Sequence, residues 1–392
     1  MESCNTESSL DLPLESLPLQ PFLQSLHKEQ WQEARLGEVA EINPKETLRK
    51  HYLYKKVAMD NLEPYTKKVY SFGIESFNGG AKFRNGDTLL ARITPCLENG
   101  KTAFVDFLQD DEIAFGSTEF IVLREKATIS DKDFLYYLAR SKHFREVAIK
   151  SMTGSSGRER VQIEVLRDFT FLLPPLTIQQ KIAEILSSFD DKMDLLHRQN
   201  KTLESLALTL FRHYFIDNPK RNEWELGKLG DYVKIASGKP LEKRFCNENG
   251  CYEILGANGA VGKTNKFLCD EKLIYTGRVG TLGKIFLIDY PRKVWLSDNT
   301  LIFRTNDSSL YFVYFLLQDL KLENYDVGST QPLIRQGDLL QIHIRKPNNI
   351  LILEFNKQAK MYFEKISHNT KQIQNLQAMR DMLLKAIFAR GK

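Results

Sequence analysis

Long apolar runs and metal-binding patterns are both missing from this chain of 392 residues. No run of about 18 apolar residues occurs, so a membrane-spanning helix is not expected. The five cysteines and seven histidines lack the close pairs that zinc sites use, so no metal site is predicted. The first 30 residues lack a basic start followed by an apolar core. We therefore expect no secretory signal, and a cytoplasmic protein.

Sequence patterns of known catalytic sites are also scarce. The glycine-rich segment 256–264 is similar to a phosphate-binding loop, but five residues separate Gly256 from Gly262 where the Walker pattern has four. The Asn-Pro-Pro-aromatic motif of amino-methyltransferases and the Glu-x-Lys triplet of many nucleases do not occur. We therefore predict no catalytic residues and no cofactor bound by this chain.

The composition is that of an ordinary globular protein, with 42% hydrophobic residues, 27% charged residues and a formal net charge of +5. This mild positive charge permits a polyanionic partner but does not by itself indicate one. The chain is longer than one hydrophobic core usually serves, so two or more domains are expected.

The chain contains an internal duplication. Trp31 and Trp224 are each followed at the same distance by a Leu-Gly-acid triplet. Strand-like, helical and glycine-containing segments then recur in the same order. The matched segments are 86–92 with 270–276, 117–124 with 297–304, and 153–158 with 327–332.

This duplication predicts a mixed α/β (α+β) fold with two similar domains in tandem, each followed by one long helix. Residues 1–30 are interpreted as an N-terminal arm. The predicted boundaries of the remaining parts are 31–173 for the first domain, 174–216 for the central helix, 217–346 for the second domain and 347–392 for the C-terminal helix.

Both predicted helices carry a heptad pattern of apolar residues, which is typical of a coiled coil. Pairing them antiparallel places Asn200 opposite Asn369, and a polar pair in such a seam fixes the register. The same register puts Arg380 opposite Phe189, where a guanidinium can stack on the ring. Such a pair would hold the two domains at a fixed spacing, as a reader of duplex DNA requires. The alternative is that each helix packs only on its own domain.

The start of the central helix resembles a known family. Residues 173–186 are similar to the Pro-Leu-x-x-Gln-x-x-Ile-Ala segment of the specificity subunits of type I restriction–modification enzymes. The loop 328–332, the duplicated Trp-x4-Leu-Gly segments and the chain length are also similar, and the resemblance covers residues 31–392. Two segments depart from the family pattern, namely the start of the second helix at 348–355 and the first glycine loop at 154–157.

The resemblance implies that each α/β domain is a target-recognition domain that reads one half of a split site in double-stranded DNA. The helices would space the two halves and dock two methyltransferase subunits. Those subunits would bind S-adenosylmethionine and methylate adenine, and restriction (motor-nuclease) subunits would join for cleavage. This chain would be a non-catalytic recognition subunit with no membrane partner.

Basic residues on or beside glycine- or proline-bearing loops are the predicted DNA contacts, because arginine and lysine bind phosphates and arginine also reads guanine. The candidates in the first domain are Arg92, Lys101, Arg158 and Arg160. The candidates in the second domain are Lys239, Lys243, Arg244, Lys263, Arg278 and Lys284.

Two other classes of function stay open on the sequence alone. A coiled-coil adaptor with two protein-binding domains would show no salt-dependent binding to duplex DNA, whereas a DNA reader would show a steep dependence. A stand-alone methyltransferase or nuclease would need a cofactor or metal site, for which the sequence offers no pattern.

Overall fold

The computed structural model describes residues 20–328 and 330–389. The described chain divides into a first unit, residues 20–195 with 373–389, and a second unit, residues 196–372. Both unit boundaries fall inside the long helices, whereas the sequence-based boundaries separate helices from domains. Each unit therefore contains one α/β domain together with parts of both helices.

The first unit contains two described four-stranded sheets, with strand orders β2-β9-β6-β7 and β4-β3-β8-β5, and a two-stranded ribbon β1-β10. Most neighbouring strands are antiparallel, but β3 pairs with β8 in parallel. The strands are β1 Gln32–Arg35, β2 Ala40–Ile42, β3 Leu53–Val57, β4 Gly73–Ser76, β5 Ala81–Phe83, β6 Thr88–Ala91, β7 Thr102–Phe104, β8 Ala114–Gly116, β9 Phe120–Glu125 and β10 Thr170–Leu173.

The first unit also contains short helices. They are α1 Gln20–Ser25, α2 Leu36–Val39, α3 Lys132–Arg140, α4 Lys142–Lys150 and α5 Ile163–Arg167. Helix α3 begins where the side chain of Asp131 accepts a hydrogen bond from the backbone N–H of Phe134. Strand β6 is buried along its whole length, so the residue that follows it emerges directly from the core.

The second unit repeats this topology. Its sheets have the strand orders β12-β19-β16-β17 and β14-β13-β18-β15, with a ribbon β11-β20 and one parallel pair, β13 with β18. The strands are β11 Leu226–Lys228, β12 Lys234–Ser237, β13 Tyr252–Gly256, β14 Gly259–Thr264, β15 Cys269–Asp270, β16 Leu273–Gly277, β17 Ile285–Ile288, β18 Lys293–Leu296, β19 Thr300–Arg304 and β20 His343–Arg345. The segment similar to a Walker loop is the tight hairpin between β13 and β14.

The remaining helices are α6 Leu176–Phe211, α7 Leu310–Asp319, α8 Gln336–Leu340 and α9 Asn349–Phe388. A π-helical turn, Arg212–Ile216, continues α6. The two long helices correspond to the two predicted from the heptad pattern. Their seam positions are buried or half-buried along both helices, as an apolar heptad stripe requires.

Within the second unit α6 and α9 pair in antiparallel fashion. The Nδ2 group of Asn369 donates to Oδ1 of Asn200 at 2.9 Å, which is the contact that the predicted register requires. Further along the pair, Nε2 of Gln358 donates to the hydroxyl of Tyr214 at 3.1 Å. Residue numbers rise on one helix and fall on the other.

Within the first unit the expected stacking of Arg380 on Phe189 is replaced by an ion pair. Nη1 of Arg380 lies 2.6 Å from Oδ1 of Asp190, with side chains 3% and 7% exposed. The hydroxyl of Tyr137 donates to the other oxygen of Asp190 at 2.6 Å. A carboxylate one position away neutralises the buried guanidinium better than an aromatic face could, and heptad positions alone did not reveal it.

A buried amide ties each domain to a long helix. In the first unit Gln179, the glutamine of the Pro-Leu-x-x-Gln segment, is fully buried. It accepts from the backbone N–H of Asp131 at 2.9 Å and donates to the carbonyls of Ile129 and Pro174. The motif therefore has a structural role, because it satisfies backbone groups where α3 meets α6.

In the second unit Asn356 of α9 likewise forms hydrogen bonds with backbone groups of the domain. Its Oδ1 accepts from the backbone N–H groups of Tyr311 at 2.8 Å and Phe312 at 3.4 Å, at the start of α7. The second long helix lacks the glutamine motif, and an asparagine at a different position supplies the acceptor.

Candidate DNA interface

Three loops of the first unit meet where β6 ends. We call residues 92–94, 117–119 and 153–161 the first loop cluster. The backbone N–H of Arg92 donates to the carbonyl of Glu119 at 2.8 Å, and the N–H of Val161 donates to the carbonyl of Arg92 at 2.9 Å. A third bond runs from the N–H of Thr94 to the carbonyl of Glu159 at 3.0 Å. These bonds hold Arg92 between two loops.

Three loops of the second unit meet in the same way where β16 ends. The second loop cluster consists of residues 278–280, residues 297–299 and a third loop, of which the structure describes residues 326–328 and 330–334. The N–H of Arg278 donates to the carbonyl of Asn299 at 2.7 Å, and the N–H of Ile334 donates to the carbonyl of Arg278 at 3.0 Å. The N–H of Gly280 donates to the carbonyl of Pro332 at 3.0 Å.

The two sets of hydrogen bonds make Arg92 and Arg278 structural equivalents. Each arginine directly follows the buried strand at the centre of its sheet, β6 or β16. The sequence comparison had instead matched Arg92 with Thr276, and this match was wrong by two positions. The loops between the matched strands differ in length, so each segment had to be aligned on its own, and the residue types of this short segment did not fix its register.

Two charged side chains of the first loop cluster form an ion pair with each other. The Nε and Nη2 groups of Arg160 donate hydrogen bonds to the carboxylate of Glu119 at distances of 2.6 to 3.0 Å. This hydrogen-bonded ion pair lowers the pKa of Glu119. Arg158 is exposed on the glycine loop, and half-buried Arg92 donates from Nε to the carbonyl of Val161 at 3.3 Å.

The second loop cluster carries fewer ionic contacts. Nη1 of Arg278 reaches the hydroxyl of Ser237 at 3.4 Å, and its buried Nε has no hydrogen-bond partner among the described residues. Lys239 is exposed on the neighbouring loop, and its backbone bonds to Leu296 at 2.9 Å. Lys284 is exposed at the start of β17 and lies over the ring of Phe286.

The backbone at the second loop cluster needs glycine. A Cβ atom on Gly238 would collide with the carbonyl oxygen of Ser297, and Gly280 has a φ of +81°. Glycine adopts such a φ without strain and allows close approach of other backbone. The short glycine turns singled out in the sequence are therefore required by the loop packing itself.

Four predicted contacts lie away from the two arginines. Lys243 and Arg244 are exposed near Lys263, whose carbonyl accepts from the N–H of Asn247 at 2.9 Å; this is the open end of the β13–β14 hairpin. The amine of Lys101 donates to the carbonyl of Met59 at 2.9 Å and lies 3.6 Å from Oδ1 of Asp60. The side chain of Lys101 is only 16% exposed.

Reasoning from the sequence missed Glu119, Asn299 and Ser237, which contact the predicted arginines. Glu119 and Asn299 lie in segments that were recognised as strand-like, but none of the three residues is basic, and basic charge was the criterion used. Within the described residues no group of three or more His, Cys, Asp or Glu side chains is arranged to hold a metal ion. None of the helices in the described ranges is long and apolar enough to cross a membrane.

A family model described as the type I restriction modification DNA specificity domain matches residues 28–205 and again residues 221–374. The two matches cover most of the chain, with one match on each α/β domain. The chain belongs to the family of type I restriction–modification specificity proteins. This family provides the recognition component of these systems, not a catalytic one.

Relatives of this chain include two specificity subunits from Methanocaldococcus jannaschii. The MjaIX subunit is 29% identical over 301 residues, which is 64% of this chain and 67% of the relative. The MjaVIII subunit is 28% identical over 274 residues, which is 59% of this chain and 63% of the relative. The matches thus span about two thirds of the length of these relatives.

A solved structure shares the fold. The specificity subunit of a type I restriction–modification system from M. genitalium superposes with a TM-score of 0.57 at 18% identity. The match covers 92% of this chain and 97% of that one. The tandem arrangement of the two domains and their long helices is therefore a known architecture.

Proposed function

We propose that this chain is the DNA-reading subunit of a type I restriction–modification complex and acts in the cytoplasm. Each α/β domain reads one half of a split site in duplex DNA, and α6 and α9 set the spacing between the halves. The observation that carries the proposal is the recurrence of one loop cluster with a basic residue at its centre, once in each family domain.

The loop clusters suit contact with DNA for physical reasons. Their loops start from buried strands and are joined by backbone hydrogen bonds. Few further backbone or side-chain groups would therefore lose conformational freedom when DNA binds. Arg158, Lys239 and Lys284 are exposed beside them, where cations can neutralise phosphates. Sequence discrimination would come from arginine and amide groups that reach the base edges.

The partners follow from the family and extend the proposal. Two methyltransferase subunits dock on the chain, bind S-adenosylmethionine and methylate adenine, one for each half-site. Restriction subunits with motor and nuclease activity join when DNA is cleaved. This chain binds no cofactor itself and acts by placing the methyltransferases on their target.

Co-expression tests this function. The chain is produced with its methyltransferase subunit in a host that lacks both, and genomic DNA is sequenced with detection of methylated adenine. We expect a split motif methylated in both halves, absent when either protein is omitted. Assembly of the complex without new methylation, and without salt-dependent binding to duplex DNA, would contradict the proposal and favour an adaptor.

A further inference from the structure

Arg92 and Arg278 are held in the same way in their loop clusters. Backbone hydrogen bonds fix each arginine on both sides, through the N–H and through the carbonyl. Both side chains are half-buried. A half-buried side chain on a fixed backbone loses little conformational freedom on binding. This property is expected of a side chain that must meet a specific group of the DNA.

Neither arginine forms an ion pair within the part of the chain that the structure describes, although the charge of Arg92 contributes to the lowered pKa of Glu119. Arg92 makes only a 3.3 Å hydrogen bond to a carbonyl, and Arg278 only a 3.4 Å bond to a hydroxyl. Three other half-buried arginines, Arg160, Arg292 and Arg304, pair with carboxylates. Arg145 and Arg345 instead donate to backbone carbonyls, as Arg92 does. A half-buried guanidinium without an anion is costly unless an anionic or hydrogen-bonding partner arrives from outside.

The surroundings of the two arginines differ, but in both clusters the arginine is left without a carboxylate to pair with. In the first loop cluster the nearby acid, Glu119, is already paired with Arg160. In the second cluster the equivalent positions are Asn299 and Leu333, so the acid and its basic partner are absent together. The isolated bridges Ile93 to Arg160 and Val279 to Leu333 confirm the equivalence of these positions. In both clusters the guanidinium at this position thus forms no ion pair with the described residues.

We propose that Arg92 and Arg278 are the paired DNA-contacting arginines of this protein, one for each half-site. The inference rests on the proposed function and specifies which of the ten predicted basic residues act as equivalents. An arginine bonded to guanine O6 and N7 discriminates between bases, whereas an arginine on a phosphate contributes affinity alone. Both sources present hydrogen-bond acceptors to the same guanidinium.

The test uses the complete complex and the motif obtained from the methylation experiment. Binding of R92Q and R278Q complexes is measured on the cognate duplex and on duplexes with single substitutions in either half-site. Arg84 and Arg292 serve as matched controls. They lie beyond the opposite ends of β6 and β16 and contact Glu46 at 3.9 Å and Glu253 at 2.9 Å.

We expect each variant to weaken cognate binding by about 5- to 150-fold, the range for losing one arginine contact. With a base contact, discrimination is lost at one base pair, in one half-site for R92Q and in the other for R278Q. With a phosphate contact, discrimination is kept and the slope of log affinity against log salt falls by about 1. Either outcome supports the proposal, and R84Q and R292Q should stay within about 2-fold of wild type.

Two results would overturn the inference. One is binding by R92Q and R278Q that matches the controls. The other is a loss of base discrimination by either variant at positions in both half-sites, which would indicate a folding defect or a different contact. If the wild-type complex itself fails to bind duplex DNA, the proposed function fails first, so the two failures are distinguishable.

Discussion

The ion pair between Asp190 and Arg380 offers a sharp test of how the long helices are held together in the first unit. The proposed change is Asp190→Asn, which removes the negative charge and keeps the shape of the side chain. The hydroxyl of Tyr137, now 2.6 Å from Asp190, can still donate to the amide oxygen. The measured effect is therefore the cost of leaving a buried guanidinium without its counter-charge.

The size of this cost can be worked out from the surroundings. Removing one partner of a buried ion pair typically costs about 3–5 kcal/mol. Arg380 also contacts Asp381 at 3.0 Å, but that carboxylate is 61% exposed and screened by water. We therefore expect the lower end, about 3 kcal/mol, or a fall in melting temperature of about 6–12 °C for a unit of this size.

Urea and thermal unfolding followed by circular dichroism measure the effect. The matched control is Glu146→Gln, which breaks the exposed 3.7 Å pair with Lys142 and should cost less than about 0.5 kcal/mol. The double variant D190L/R380M should be more stable than D190N, because it leaves no unpaired charge. A loss below about 1 kcal/mol for D190N would refute the reasoning.

Three further predictions concern single side chains. Gln179→Ala should lower the free energy of unfolding by about 2 kcal/mol or more, because it orphans three backbone groups, while exposed Gln180→Ala changes it by less than about 0.5 kcal/mol in the same urea titration. Lys28→Met should cost about 1 kcal/mol, because Lys28 donates to two carbonyls in the last turn of α9 at 2.6 and 2.8 Å; unchanged amide exchange there would contradict this. Arg160 lowers the pKa of Glu119, so wild type should be more stable than E119Q above about pH 4.5, and this difference should disappear as the pH falls through the lowered pKa. A difference in melting temperature between the two proteins that stays constant down to pH 3 would exclude this.

The long helices and the duplication were accessible from the sequence for a local reason. A helix repeats every 3.6 residues, so a buried seam must appear as apolar residues three and four positions apart. The pairing of Asn200 with Asn369 followed from aligning two such seams, and the 2.9 Å hydrogen bond has this register. The family segment around Gln179 was recognised by pattern, but only the packing explained why a glutamine is needed there.

The candidate site was only partly accessible. The criterion of basic charge beside glycine turns selected Arg92 and Arg278, but it could not separate them from Lys101, whose amine donates to the carbonyl of Met59. Nor could it reveal that Arg160 is occupied by Glu119. Both outcomes depend on which distant loop lies opposite each side chain.

The sequence by itself thus determined the tandem domains, the two long helices and the family, because periodicity, repetition and motif spacing are properties of the chain read in order. Only the tertiary structure decided that Arg92 corresponds to Arg278 and that Arg380 pairs with Asp190. Both depend on hydrogen bonds and ion pairs between residues far apart in the chain. Loop lengths differ between the repeats, and partner choice follows burial and distance, so neither could be obtained from residue spacing.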